Sequence, residues 1–370
     1  MNKILMEKLS LWQLAIIIFT FEIGSVAVVG IGNEAKQDAW IAIAIATVLG
    51  VLLTGFYVYL LKKIPGKNFF ELLSFCYGKW IGRLVSFLYV LYFFYIASRV
   101  LRDFCELIVS TVFEFTPIEV IALTMMFAIV YMLYLGLEVL GRTSEIFIPY
   151  VFSFTLFIGI AIVLSGEIDF KNLQPILAEG IGPIVKAIFP GLLTFPFGEM
   201  VAFMVIIPYV SKFDMVGKVS MLTVAFSGFF IIFNNIIQIA TLGAAMKERS
   251  NFPLLSAARQ ISLLEFVERV DLLIVFVVMF GIIVKVSVFF YGGLRGLEFI
   301  INKPYRTMIF PAAMIIAFFA VEISKNFAEH IEEGITWVPF YLHLPFQILF
   351  PLLTTPILLW KVKKQQKENG

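Results

Sequence analysis

FPGLLTFPFGE, residues Phe189 to Glu199, lies inside an apolar run that extends from about Ile181 to Val210. The run is long enough to span a bilayer, but its middle cannot be a continuous helix. Pro190 and Pro196 each remove a backbone donor and clash with the preceding turn, while Gly191 and Gly198 add backbone freedom. Backbone groups freed at mid-membrane cannot face lipid, so they are buried in protein or line a watery cavity. In transporter-like folds that place is the substrate site. Glu199 closes the stretch with a carboxylate near the bilayer centre. A kink that only shapes packing would need the prolines alone; the added glycines and carboxylate favour a functional break.

The surrounding composition agrees with a membrane setting. Of 370 residues, 61% are hydrophobic and 15% charged, with a mean hydropathy of +0.96, which describes a polytopic membrane protein. A net charge of +2, spread over short loops, implies no nucleic-acid partner. Cys76 and Cys105 fall at opposite ends of one crossing and should not pair. His330 and His343 are too few and too far apart for a metal set. No HExxH, GxSxG, Walker or GxGxxG motif stands in a suitable context, so neither an enzyme nor a cofactor is implied.

Runs of about 20 apolar residues, the length needed to span, fall near Leu11 to Ile31, Trp40 to Leu61, Ile81 to Val109, Ile118 to Leu137 and Ile146 to Leu164. Five more follow near Ile181 to Val210, Val219 to Leu242, Leu272 to Leu294, Met308 to Ser324 and Trp337 to Trp360. The expected architecture is an all-α membrane bundle of about ten crossings in a single membrane domain, residues 1–370, with both termini on one side. The basic residues concentrate on that side, which the positive-inside rule makes cytoplasmic. Asn68 to Trp80 reads as a helix along the inner interface, and Asn251 to Arg269 as a cap on the outer face. The lysine-rich tail from Lys361 reads as a solvated stop signal.

Two halves, about 1–166 and 167–370, each hold five crossings, and an odd number per half forces opposite orientations. The first crossing of the first half, FEIGSVAVVGIG from Phe21 to Gly32, is interrupted by glycine and carries Glu22, matching the broken sixth crossing in position. Interrupted segments at corresponding places in an inverted repeat point to a binding site.

Glu22, Glu199 and Lys285 are the deepest ionisable residues, and each costs at least about 2.5 kcal/mol to bury at a helix centre. They are read either as proton carriers or as a structural pair of Lys285 with one carboxylate. Ser287 and Tyr291, four apart, share a helix face and can serve a ligand or bond helix to helix. The third crossing carries Tyr92, Phe93 and Tyr95, and a hydroxyl buried there needs a partner. Arg99 with Asp103, and Arg102 with Glu106, have the spacing of i,i+4 ion pairs, with a gate as the lesser reading. Asn234, Asn235 and Gln238 read as interhelical hydrogen-bonding groups.

With ten crossings, the EIGS of Glu22 to Ser25, the QDAW of Gln37 to Trp40 and the PFGE of Pro196 to Glu199, the chain resembles the B subunits of GerA-type spore germination receptors. These form a spore permease family within the amino acid-polyamine-organocation superfamily. The resemblance implies a leucine-transporter-type 5+5 inverted repeat with helices one and six interrupted around an amino acid or similar small nutrient. Carried over by motif, it implies ligand contacts at Gly24, Ser25, Tyr95, Leu193, Phe195, Ser287 and Tyr291. It also implies A and C receptor subunits as partners, the spore inner membrane as location, and sensing rather than bulk transport. A proton-coupled amino acid transporter or permease is the alternative.

Overall fold

A computed structural model describes residues 8–26, 28–260 and 270–368. Among these residues eight helical segments are long and apolar enough to cross a membrane, and two shorter apolar helices, Leu11–Val26 and Ile309–Glu322, bring the crossings to ten. Large apolar side chains such as Leu52, Phe229 and Phe318 point outward along them, as a lipid-facing surface requires. Exposed Trp12, Trp80, Trp337 and Trp360 sit near segment ends, where amphipathic rings favour the membrane interface.

The first crossing is α1 (Leu11–Val26), and the chain leaves the helix there, passing through a short 3₁₀ turn at Asn33–Asp38 into α2 (Ala39–Lys62). The QDAW motif fixes this exit to the second half of the chain. Gln37 Nε2 donates to the Pro175 carbonyl at 3.0 Å, and the Asp38 carboxylate accepts from the Leu177 amide.

α3 (Phe69–Thr111) contains the expected interfacial helix and the third crossing in one element. A reciprocal cap between Asn68 and Glu71 starts it. Gly78, at φ 80°, then turns the chain into the membrane, a conformation that only glycine adopts without strain. The apolar side of this short helix is covered by the chain itself. Phe69, Phe70, Leu72, Leu73 and Cys76 are buried, with Phe69 edge-on to Tyr89, because the third crossing folds back over them.

α4 (Ile118–Leu135) and α5 (Leu137–Leu164) complete the first five crossings. The sixth starts as α6 (Gly182–Ala187), loosens into a π turn at Ile188–Leu192 with Phe189 out of helical geometry, and tightens to 3₁₀ at Phe197–Ala202. It regains α geometry at α7 (Phe203–Ile206). The break therefore lies where the prolines and glycines demanded it. α8 (Phe213–Arg249) is the seventh crossing and α9 (Pro253–Ala258) a short cap. The remainder of the predicted cap, including Ile261, Leu264, Glu265 and Glu268, lies outside the described residues.

The eighth crossing, α10 (Val270–Ile301), packs against α3 and α1 at the centre of the bundle. Gly24 of α1 and Gly281 of α10 make that approach possible. A Cβ at Gly24 would stand 2.7 Å from the Gly281 carbonyl, and one at Gly281 would stand 2.5 Å from the Gly24 Cα. α11 (Ile309–Glu322), an amphipathic helix α12 (Phe327–Val338), a π-helical stretch at Pro339–Leu349 and α13 (Phe350–Glu368) follow.

Candidate functional site

Between the unwound parts of the first and sixth crossings lies a cavity of about 130 Å³, on the face opposite the termini. The chain leaving α1, from Val29 to Glu34, forms one wall; Gly191, Leu192, Phe195 and Glu199 from the break in the sixth crossing form another. The third crossing contributes Ile96, Arg99, Val100 and Asp103, and α12 with the start of the tenth crossing supplies His330, Gly334, Val338 and His343.

At the inner end, Lys285 Nζ stands 2.5 Å from Glu199 Oε2, with both side chains almost wholly buried. The ammonium also lies over the rings of Phe21 at 4.9 Å and Phe195 at 4.6 Å, so three crossings meet on one charge. Glu22, fully buried, lies within electrostatic range of both partners, and among the described residues neither of its oxygens has a hydrogen-bond partner. The three deepest ionisable residues of the sequence thus converge. The pair that the sequence left open is Lys285 with Glu199.

Beside it is a polar network. Tyr92 Oη lies 2.8 Å from His343 Nδ1, and Gln347 Nε2 lies 2.9 Å from Tyr92 Oη and 3.0 Å from His343 Nδ1. Tyr57 donates to the Gln347 carbonyl at 2.7 Å, and Tyr89 to that of Phe346 at 2.7 Å. These bonds satisfy the Tyr92 hydroxyl that the sequence buried at mid-membrane, and those of Tyr57 and Tyr89 besides.

At the cavity mouth the expected Arg99–Asp103 pair is replaced. Arg99 reaches across to the His330 carbonyl, to Glu333 at 3.4 Å and to the Tyr95 hydroxyl at 3.4 Å. Asp103 instead meets His330 Nε2 at 2.8 Å. α12 presents its own acceptor and donor to the third crossing, and both residues turn to it. Arg102 and Glu106 do form the i,i+4 pair, at 2.7 Å. Asn235 bridges to the Ile31 carbonyl at 3.5 Å, as an interhelical group, whereas Asn234 bonds within its own helix. Lys247, also buried, holds the exit of α1 by donating to the Ile31 carbonyl at 3.0 Å and to Asn33 Oδ1 at 2.8 Å.

Of the residues carried over by resemblance, Phe195 lines this cavity, and so does Glu199. Gly24 is pressed against Gly281. Ser25 and Ser287 are fully buried, their hydroxyls without a partner among the described residues, and Tyr95 stands beside Arg99 just outside the lining. Leu193 is partly buried on the sixth crossing, outside the lining, with its carbonyl near Gly198. Tyr291 lies deeper toward the termini, between Tyr209 and Tyr305. The structure thus brings Phe195 and Glu199 to the cavity and leaves the other six in the surrounding helix packing. Arg99, Asp103, His330 and His343 were visible in the sequence as charges and rings near crossing ends, but nothing local announced that α12 would gather them.

The family model described as "Spore germination protein" matches residues 8–328. The chain belongs to that family. It is 35% identical over 369 residues, 99% of each chain, to Spore germination protein KB of Bacillus subtilis (strain 168). It is also 28% identical over 152 residues to Spore germination protein A2 of the same organism, covering 41% of each. Among solved structures, this spore germination family member resembles MhsT in complex with L-phenylalanine, with a TM-score of 0.67 at 11% identity, covering 96% of this chain and 92% of that one. It also resembles Mhp1, a nucleobase-cation-symport-1 family transporter with bromovinylhydantoin bound, with a TM-score of 0.62 at 13% identity, covering 97% and 94%. At these identities the likeness is one of fold, that of leucine-transporter-type proteins with five-plus-five inverted repeats.

Proposed function

We propose that this protein is the membrane-embedded nutrient-binding subunit of a spore germination receptor, holding an amino acid at the unwound parts of its first and sixth crossings. The observation that carries the reading is the cavity itself, walled on one side by the chain leaving α1 and on another by the break in the sixth crossing. Its size suits a small molecule. A dry cavity of about 150 Å³ is known to hold a benzene ring, and drug-sized pockets start near ~300 Å³. Family membership supports the germination role. The resemblance adds A and C subunits that would read a ligand-biased equilibrium of the bundle, and the spore inner membrane as location; the distribution of basic residues adds cytoplasmic termini. A ligand shifts such an equilibrium only by its differential affinity for the two states.

A thermal-shift panel of the purified protein against the common amino acids tests the reading. Stabilisation by one amino acid, lost in Gly191→Trp, which fills the cavity, is the expected result. Absence of any shift in the intact receptor complex would contradict it. The second reading is a proton-coupled amino acid transporter, and the observation that favours it is Glu22, a buried carboxylate without a hydrogen-bond partner beside an ion pair. Gradient-driven accumulation in vesicles, abolished by Glu22→Gln, would select it.

A further inference from the structure

His343 is 4% exposed, lines the cavity, and has Nδ1 engaged from the side away from it. With the Gln347 amide oriented as it stands, Nε2 donates to the Tyr92 hydroxyl and turns its other hydrogen toward Nδ1, so the hydroxyl is left to donate to the single lone pair of an unprotonated Nδ1. A neutral imidazole that accepts at one nitrogen carries its proton on the other. Among the described residues no hydrogen-bond partner meets Nε2. The ring therefore presents a fixed N–H from a buried, braced position on the tenth crossing.

Arg99 lines the same cavity, and Lys285 stands at its inner end, paired with Glu199. Glu199 lies at the same end with Oε2 taken by Lys285, leaving Oε1 as the carboxylate oxygen available to the cavity. A ligand that fits must offer an acceptor to one group and a donor to the other. We propose that His343 Nε2 donates a hydrogen bond to the carboxylate of a bound α-amino acid while Glu199 Oε1 receives its ammonium, with Tyr92 and Gln347 as positioning residues that fix the tautomer. The inference rests on the cavity being the nutrient site and goes beyond it by naming the contact that distinguishes an amino acid from its decarboxylated amine.

The chain has only two histidines, His330 and His343, so ¹⁵N-histidine spectra of the ligand-free protein, with His330→Gln for assignment, report the His343 tautomer directly. The expected result is an unprotonated Nδ1 and a protonated Nε2, converting to a mixture in Tyr92→Phe/Gln347→Leu. A protonated Nδ1 in the wild type would overturn this inference alone and leave the proposed function standing. The amino acid that stabilises the protein in the panel is then compared with its decarboxylated amine. The wild type is expected to prefer the acid by tenfold or more, His343→Phe to lose that preference, and His343→Gln, which keeps an N–H, to retain most of it. Equal loss of both ligands in His343→Phe, or unchanged preference, would overturn the donor role. Failure of every amino acid to bind the wild type would overturn the proposed function and this contact with it.

Discussion

The two faces of the bundle are closed by different chemistry. On the face of the termini, Arg295 lies over the rings of Tyr209 at 4.9 Å, Tyr305 at 5.7 Å and Tyr291 at 5.8 Å, and pairs with Glu298 at 3.1 Å. Leu9 adds backbone bonds to Tyr209 and Ser211, tying the start of the chain to the end of the sixth crossing. The opposite face has a cavity, and what spans it is a set of polar contacts from Arg99 and Asp103 to α12. Glu333, one of those partners, is 40% exposed. Aromatic packing around a cation resists opening, whereas the Arg99–Glu333 contact is shared with water on the Glu333 side and adds little. The packing around Arg295 thus closes the bundle toward its termini, and the cavity lies on the other side. The buried Lys285–Glu199 pair stands between the two regions.

Substitutions rank that division by energy. The largest effect is expected at the midplane: Lys285→Met leaves Glu199 buried without its partner and should cost about 3–5 kcal/mol. Thermal melting in detergent checks this, and Lys285→Met/Glu199→Leu should recover most of the loss, because the desolvated charge is gone. Next is the helix crossing that supports both faces. Gly24→Val drives a side chain into the Gly281 backbone and should cost about 1–3 kcal/mol by the same assay.

Gly24 also shows what the sequence could and could not convey. The glycines and prolines of the sixth crossing announced the break, because their effect on a helix is local and independent of neighbours. The order of crossings and the interior placement of Glu22, Glu199 and Lys285 were similarly legible, since long apolar runs and the cost of burying charge leave few arrangements, whereas the meeting of all three at one point was not. The interruption expected between Phe21 and Gly32 is there, since the chain leaves the helix after Val26, but Gly24 itself lies within α1 and serves close packing. A glycine that frees the backbone and one that admits a neighbouring helix look alike until the neighbour is known. The cavity mouth was hidden for the same reason. Arg99 and Asp103 had the spacing of a pair, and only the return of α12, more than two hundred residues later, gave them better partners.

On the termini face, Arg295→Ala removes the cation from its ring of tyrosines and should cost about 1–2 kcal/mol. Hydrogen exchange should then rise at residues 207–211 and stay unchanged in α12. The smallest effect is expected opposite: Glu333→Gln weakens a contact that water already shares and should cost no more than about 1 kcal/mol. Exchange should rise in α12 alone. Equal spreading of either change to both faces would remove the distinction between them.

The most direct test of the account is side-specific labelling of Phe195→Cys, in a background lacking Cys76 and Cys105, with a membrane-impermeant thiol reagent. The cavity predicts modification from the face opposite the termini, slowed by the amino acid that stabilises the protein. Modification only from the termini side, or a rate indifferent to every amino acid, would contradict a receptive site between the broken crossings.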